Sequence, residues 1–205
     1  MSTLTNQGDA AAAAALHEAF PDVTRAPVEF RGDWRVPVDP GAEAEVIRYA
    51  RDELGFTQLV DRLGADQGPG ADPRFDVITC VYNLESHTRL IFVASVPEAA
   101  PECPTLIGVF RGANWFEREI YDMYGVTFPG HPNMTRILLP VEFDAFPLRK
   151  EYPMEGLGDF AAPRRALGGN VDGKDGRVAI PPHPGQPGPP THDPMYPDDG
   201  EEAGS

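Results

Sequence analysis

The sequence predicts an α/β domain, a single mixed β-sheet covered by helices over residues 21–154, followed by a long extended or disordered C-terminal tail over 155–205. Three observations carry this prediction. Phe75–Leu84 and Arg89–Val96 are apolar at both odd and even positions, as strands in the middle of a covered sheet are. Two stretches, one opening at Asp39-Pro40 and one at Asn114, space their apolar residues as a helix does and end at Gly55 and Gly125. From Glu155 onward glycine, proline and acidic residues dominate, with eight prolines between 181 and 205, too little apolar matter to offset the entropy of ordering.

Taken in order, residues 1–20 are expected to be a flexible segment. Met1–Ala15 is polar, then alanine-rich, and has neither the basic start nor the apolar length of a signal peptide. No run approaches the ~20 residues needed to span a bilayer, so membrane association is expected to come through partners. Val28–Phe30 and Trp34–Val38 form a hairpin about Gly32-Asp33. The helix begun by Asp39 and Pro40 has Ala42, Val46, Ile47, Ala50 and Leu54 on its core face. Phe56–Asp61 is a third strand, and Gly64–Pro73, with Gly68-Pro69-Gly70, is a loop. The two long apolar runs supply the sheet centre.

Charge and cysteine content remove several classes of function. A formal net charge of -15 argues against nucleic acid and anionic lipid as direct partners, because both need cationic neutralisation. An iron-sulfur cluster takes roughly four cysteine ligands, or two with two histidines, whereas Cys80 and Cys103 stand apart in a strand and a proline-flanked loop. No disulfide framework is indicated, in agreement with a reducing cytoplasm. Gly156–Ala161 meets the loose dinucleotide pattern, but no strand precedes it and Pro163 breaks the helix that would hold the phosphates. Asp172–Gly176 lacks the ligands and closing glutamate of a calcium loop.

The densest information lies in residues 117–153. Asn114 followed by Glu117 has the form of a capping box, which predicts a helix over 115–124 with Gly125 in left-handed space at its end. Phe116, Ile120, Met123 and Tyr124 form its apolar stripe, and Arg118 with Asp122 an i,i+4 pair on another face. Glu117, Glu119 and Asp122 invite an acid-base reading. At ~100° per residue Glu117 and Glu119 diverge by about 200°, while Glu119 and Asp122 lie within about 60°. A capped helix with a charged face toward solvent or a partner accounts for them more simply. Phe128–Asn133 is a rigid turn holding His131, a histidine without a second one nearby in sequence. Arg136–Pro140 is a short extended segment, and Arg149-Lys150-Glu151, between Pro147 and Pro153, is an exposed clamp suited to a protein partner.

Five pieces of this stretch, in order and at matching spacing, resemble one known signature: Glu117-Arg118-Glu119, Asp122-Met123-Tyr124-Gly125, Gly130-His131-Pro132, Arg136–Pro140 and Pro147-Leu148-Arg149-Lys150. The family is the thirty-kilodalton subunit, or C subunit, of bacterial NADH-quinone oxidoreductase, respiratory complex I. A looser resemblance reaches back to about residue 28. Phe146 stands where the family usually has histidine, and Glu151 where aspartate is commoner.

The resemblance implies a cofactor-free structural subunit of the peripheral arm, on the cytoplasmic face of the cell membrane, that docks to the neighbouring quinone-site (D) subunit beside the Fe-S subunits. FMN and Fe-S clusters are then expected in those partners. It nominates Glu117, Arg118, Glu119, Asp122, Tyr124, Gly125, His131, Arg136, Arg149 and Lys150 as docking residues, with no catalytic, cofactor or metal site of the chain's own. The tail at 155–180 is either solvated or wraps a partner, and 181–205 is solvated. The rival readings are the same module in a membrane-bound hydrogenase or deazaflavin-dependent dehydrogenase, a free-standing acid-base enzyme using Glu119, Asp122 and His131, and an acidic adaptor.

Overall fold

Five strands and three α-helices make up the computed structural model, which describes residues 7–140 and 143–154. The tail beyond residue 154, with the two glycine motifs it contains, lies outside the described residues.

Residues 7–19, expected within a flexible segment, instead form helix α1 (Gln7–Ala19), with Ala13 and Leu16 fully buried. Alanine has the highest helix propensity, and a run of it packs closely wherever one larger residue supplies an anchor. Strands β1 (Val28–Phe30) and β2 (Asp33–Val38) form the expected hairpin. Its turn sits one residue earlier than predicted, on Arg31 and Gly32, both at positive φ (56° and 89°) as a tight hairpin turn of this hand requires. Pro40–Ala42 makes a 3-10 turn, and helix α2 (Glu43–Asp52) follows, burying Val46, Ile47 and Ala50 as its spacing predicts.

Strand β3 (Gln58–Asp66) is longer than expected and includes Gly64, which the sequence places in a loop. A Cβ there would lie 2.7 Å from the Tyr124 ring, so the glycine lets a helix approach a strand and does not break the strand. Strands β4 (Phe75–Asn83) and β5 (Thr88–Val96) are central in the order β1-β2-β5-β4-β3; β2 and β5 run parallel and the other pairs antiparallel. Helix α3 (Ala113–Tyr124) packs on β3.

The α/β prediction therefore holds, with the cover on one side. One cross-strand row, Val36, Phe92, Thr79 and Arg62, is buried with residues of all three helices. The alternate row, Pro37, Val93, Ile78 and Leu63, lies outside that core. Its apolar residues explain why both faces of β4 and β5 read as buried.

Candidate partner-docking site

Helix α3 and the chain after it form the candidate site. Asn114 does not cap the helix, which begins one residue earlier with Gly112 before it and no side-chain cap. Its carbonyl instead accepts the His131 Nε2 hydrogen at 3.3 Å, while His131 Nδ1 accepts the Asn133 amide at 3.0 Å. Both ring nitrogens are thereby committed in the neutral form. Burial, with Arg118 nearby, holds the His131 pKa below its ordinary value despite the Asn114 carbonyl.

Glu117 is a correction in kind. It is fully buried, and its carboxylate accepts the Leu106 amide at 2.7 Å and the Thr105 hydroxyl at 2.6 Å, tying down the loop before the helix. Behind it the buried Arg62 pairs with Glu43 through two bonds of 3.1 and 2.8 Å, and Arg62 Nε, 3.5 Å from Glu117, has no hydrogen bond. The Thr79 hydroxyl and Cys103 thiol also donate to Glu43. Burial opposes the Arg62 charge, but Glu43 and Glu117 outweigh it. One guanidinium cannot neutralise two carboxylates, and burial pushes the Glu117 pKa up.

Asp122 is the second correction. It too is fully buried, and one oxygen accepts the amides of Ile137, Leu138 and Leu139 at 3.1, 2.8 and 2.9 Å. The other takes Arg136 Nη1 at 2.7 Å. Burial alone would raise its pKa; Arg136 and the three amides more than reverse that and hold it low. Asp122 is thus a fixed anion that folds the Arg136–Pro140 segment over the helix end. Neither Glu117 nor Asp122 can touch a partner, and a general acid-base pair of Asp122 and His131 has no free group to work with.

The helix ends as predicted at Gly125, at φ 76°, whose amide bonds Tyr121 O at 2.8 Å. A Cβ on it would meet the Phe146 ring at 2.6 Å and Arg149 at 2.8 Å. Phe146 is the floor on which the Arg149 guanidinium stacks, 4.5 Å from the ring centre, with Arg136 5.5 Å away. Arg149 also donates to Tyr124 O at 2.7 Å. The clamp closes on the β3–β4 hairpin, where buried Arg74 pairs with Asp66 (3.0 and 3.1 Å) and with Glu98 and Glu151, and Asp66 accepts the Lys150 amide at 2.8 Å. Arg74, with the Lys150 and Gly68 amides, holds Asp66 well below the usual carboxylate range.

What remains exposed is a different set from the one nominated. Glu119 and Lys150 are exposed, Arg118 partly so, and Trp115, Leu138 and Leu148 show 49, 62 and 52% of their surface. The three apolar residues were missed, although Trp115 falls off the helix's apolar stripe and so could have been found. Arg118 lies over the Trp115 ring and donates to the carbonyls of Thr135 and Arg136. Among the described residues, no group of three or more His, Cys, Asp or Glu is placed to hold a metal ion, and no helix is long and apolar enough to cross a membrane.

A family model described as respiratory-chain NADH dehydrogenase, 30 Kd subunit, matches residues 36–157. The chain belongs to this family. Its match takes in the sheet from the middle of β2 onward, α3 and the whole clamp. The NADH-quinone oxidoreductase C subunit of Roseiflexus sp. (strain RS-1) is 40% identical over 141 residues, 68% of this chain and 80% of that one. The C subunit of Paramagnetospirillum magneticum is 40% identical over 145 residues, covering 69% and 71%. Among solved structures, a trypsin-resistant fragment of Nqo5 shares 29% identity at a TM-score of 0.52, covering 58% of this chain and 96% of the fragment. A chain of the membrane-bound sulfane sulfur reductase, an archaeal respiratory membrane complex, gives a TM-score of 0.61 at 18% identity over 80% of this chain and 95% of that one, a likeness of fold alone.

Proposed function

We propose that this 30 Kd family member is a structural subunit of the peripheral arm of a proton-translocating NADH-quinone oxidoreductase, held on the cytoplasmic face of the membrane through the complex. It docks to the quinone-site (D) subunit and neighbouring Fe-S subunits, binds no cofactor, and carries out no chemistry itself. Its contribution is positional. NADH oxidation at FMN and electron passage through Fe-S clusters to quinone take place in the subunits it holds in register.

One observation carries the reading: the chain after α3 is anchored by ion pairs with a buried member, Asp122 with Arg136 at one end and Arg74 with Asp66 and Glu151 at the other. This leaves Trp115, Leu138 and Leu148 uncovered on a fixed framework. Exposed aromatic and aliphatic residues beside arginine are what partner interfaces use as anchors. The corrected docking set is therefore Trp115, Arg118, Glu119, Leu138, Leu148 and Lys150, with Tyr124, Gly125, His131 and Arg149 shaping the surface and Glu117, Asp122 and Arg136 setting the backbone beneath it.

Affinity purification of the tagged chain from detergent-solubilised membranes tests this. Flavin, iron and NADH-dependent quinone reduction are expected to co-elute with it. Elution of the chain alone, or with a stoichiometric prosthetic group of its own, would refute the reading.

A further inference from the structure

Among the described residues, strand β3 is an outer edge of the sheet, hydrogen-bonded only to β4. After an irregularity between Leu59 and Asp61 its register with β4 is unbroken to Asp66. In an antiparallel pair alternate residues turn their N–H and C=O away from the partner, so part of this backbone faces outward, and no described segment pairs with it. Such edges are commonly blunted with lysine, proline or an inward-pointing charge. The regular stretch carries one such inward charge, the buried Arg62, and outward it presents Leu63, 40% exposed, beside an acidic residue, Asp61.

Between this edge and α3 runs a groove of about 220 Å3 whose lining includes Leu63, Phe116, Met123 and Leu148, with Asp61, Glu119 and the buried Arg62. Neither carboxylate has a hydrogen bond or ion pair among the described residues. The groove is thus largely apolar in its walls, and its two carboxylates outnumber the one guanidinium, which Glu43 already engages. Burial raises the pKa of the Tyr124 phenol, which also lines it, and the Asp66 and Glu119 charges add to that rise.

We propose that Asp61–Ala65 receives an extended segment of a neighbouring subunit as an additional strand, one whose apolar residues alternate with lysine or arginine. Backbone pairing would satisfy the outward amides and carbonyls and supply affinity, while the pockets on either side choose the side chains. One set of those side chains enters the groove beside α3. The other continues the apolar row of Leu63, Ile78 and Val93 on the open face, and a cation is met by Asp61 or Glu119. The inference rests on the docking reading above and names the chemistry of one partner segment.

The test uses the assembled complex from detergent-solubilised membranes, carrying a photo-crosslinking amino acid at Leu63 in one preparation and at Trp115 in another, with amide exchange followed in the complex and in the full chain alone. Leu63 is expected to crosslink to an extended segment of another subunit that bears lysine or arginine. The outward-facing amides among residues 61–65 are expected to exchange at least ~100-fold more slowly in the complex than in the free chain. A crosslink from Trp115 alone, with unprotected 61–65 amides, would overturn strand addition and leave the docking reading standing; no intersubunit crosslink from either position would overturn both. A Leu63 crosslink to a helix, to lipid or to a second copy of this chain would also defeat the inference. The double substitution Asp61→Lys, Glu119→Lys is expected to keep the unfolding midpoint of the chain and to weaken retention of its neighbour by ~10-fold or more. Unchanged retention would remove the cationic partner from the proposal.

Discussion

Replacing Asp122 by asparagine tests whether the Arg136–Pro140 segment is fixed from beneath by one buried anion. In the native chain four donors converge on that carboxylate: the Ile137, Leu138 and Leu139 amides and Arg136 Nη1. An asparagine oxygen can keep either the amides or the arginine, and its NH2 group then faces donors it cannot satisfy. Hydrogen bonds to charged groups are worth ~1.5–3 kcal/mol each, and leaving one member of a buried ion pair unpartnered costs ~3–5 kcal/mol. Arg136 retains bonds to the carbonyls of Asp122 and Ala145 and is 13% exposed, so the expected loss is toward the lower part of that range, about 3 kcal/mol. Denaturant unfolding of the purified full chain near pH 7, followed by circular dichroism, should show a lower midpoint with unchanged slope. The pH dependence gives a second readout. Because the folded-state pKa of Asp122 lies below its unfolded value, its contribution is complete above the unfolded pKa, ~3.9, and is lost as pH falls through the folded pKa. The gap between wild type and variant should therefore narrow on acidification. A loss under ~0.5 kcal/mol at pH 7, or a gap independent of pH, would refute the account.

Gly125→Val places a branched side chain at φ 76° and within 2.6 Å of Phe146; it should cost over ~2 kcal/mol and lower the yield of assembled complex, measured by thermal melting and by co-purification. Of the two glutamates around Arg62, Glu43→Gln should destabilise by ~3–5 kcal/mol because it removes the carboxylate that takes the bidentate pair. Glu117→Gln should cost under ~1 kcal/mol at neutral pH, since a neutral amide can still accept the Leu106 amide and donate to the Thr105 hydroxyl. The raised folded pKa of Glu117 gives the sign: its contribution is full below the unfolded pKa, ~4.3, and falls as pH rises through the folded one, so the variant should flatten that decline. Glu119→Gln should leave chain stability within ~0.5 kcal/mol and turnover per assembled complex unchanged, read by normalising NADH-dependent quinone reduction to bound flavin.

The fold was legible where periodicity and punctuation agree. The strand pair at residues 75–83 and 88–96 and the face of α2 follow from the spacing of Val, Ile, Leu and Phe, and Gly125 marks its helix end because left-handed backbone excludes most side chains. Two errors share a cause. Gly64 and the alanine run at 10–15 each look like weak structure in one dimension, yet a small residue is what a packed interface needs where a ring or a helix comes close. Absence of a side chain reads as freedom in a sequence and as contact in a fold.

The segments that come together around α3 were legible in the sequence, and the polarity of their surface was not. A carboxylate on a helix reads as surface, because charge is seldom buried without a partner. The partners of Glu117 and Asp122, however, lie in the loops at 105–106 and 136–139, and in Asp122 most of them are backbone amides that any residue types could supply. Local spacing around α3 therefore carries no trace of the pairing. The same reasoning explains why Phe146 suits this clamp, at the position where the family resemblance implies histidine. What the position must provide is a flat face beneath Arg149 and beside Gly125, and phenylalanine provides that face without a group that titrates. The geometry of the clamp in this chain should accordingly be insensitive to pH between about 5 and 8, the window in which a histidine there would change its charge.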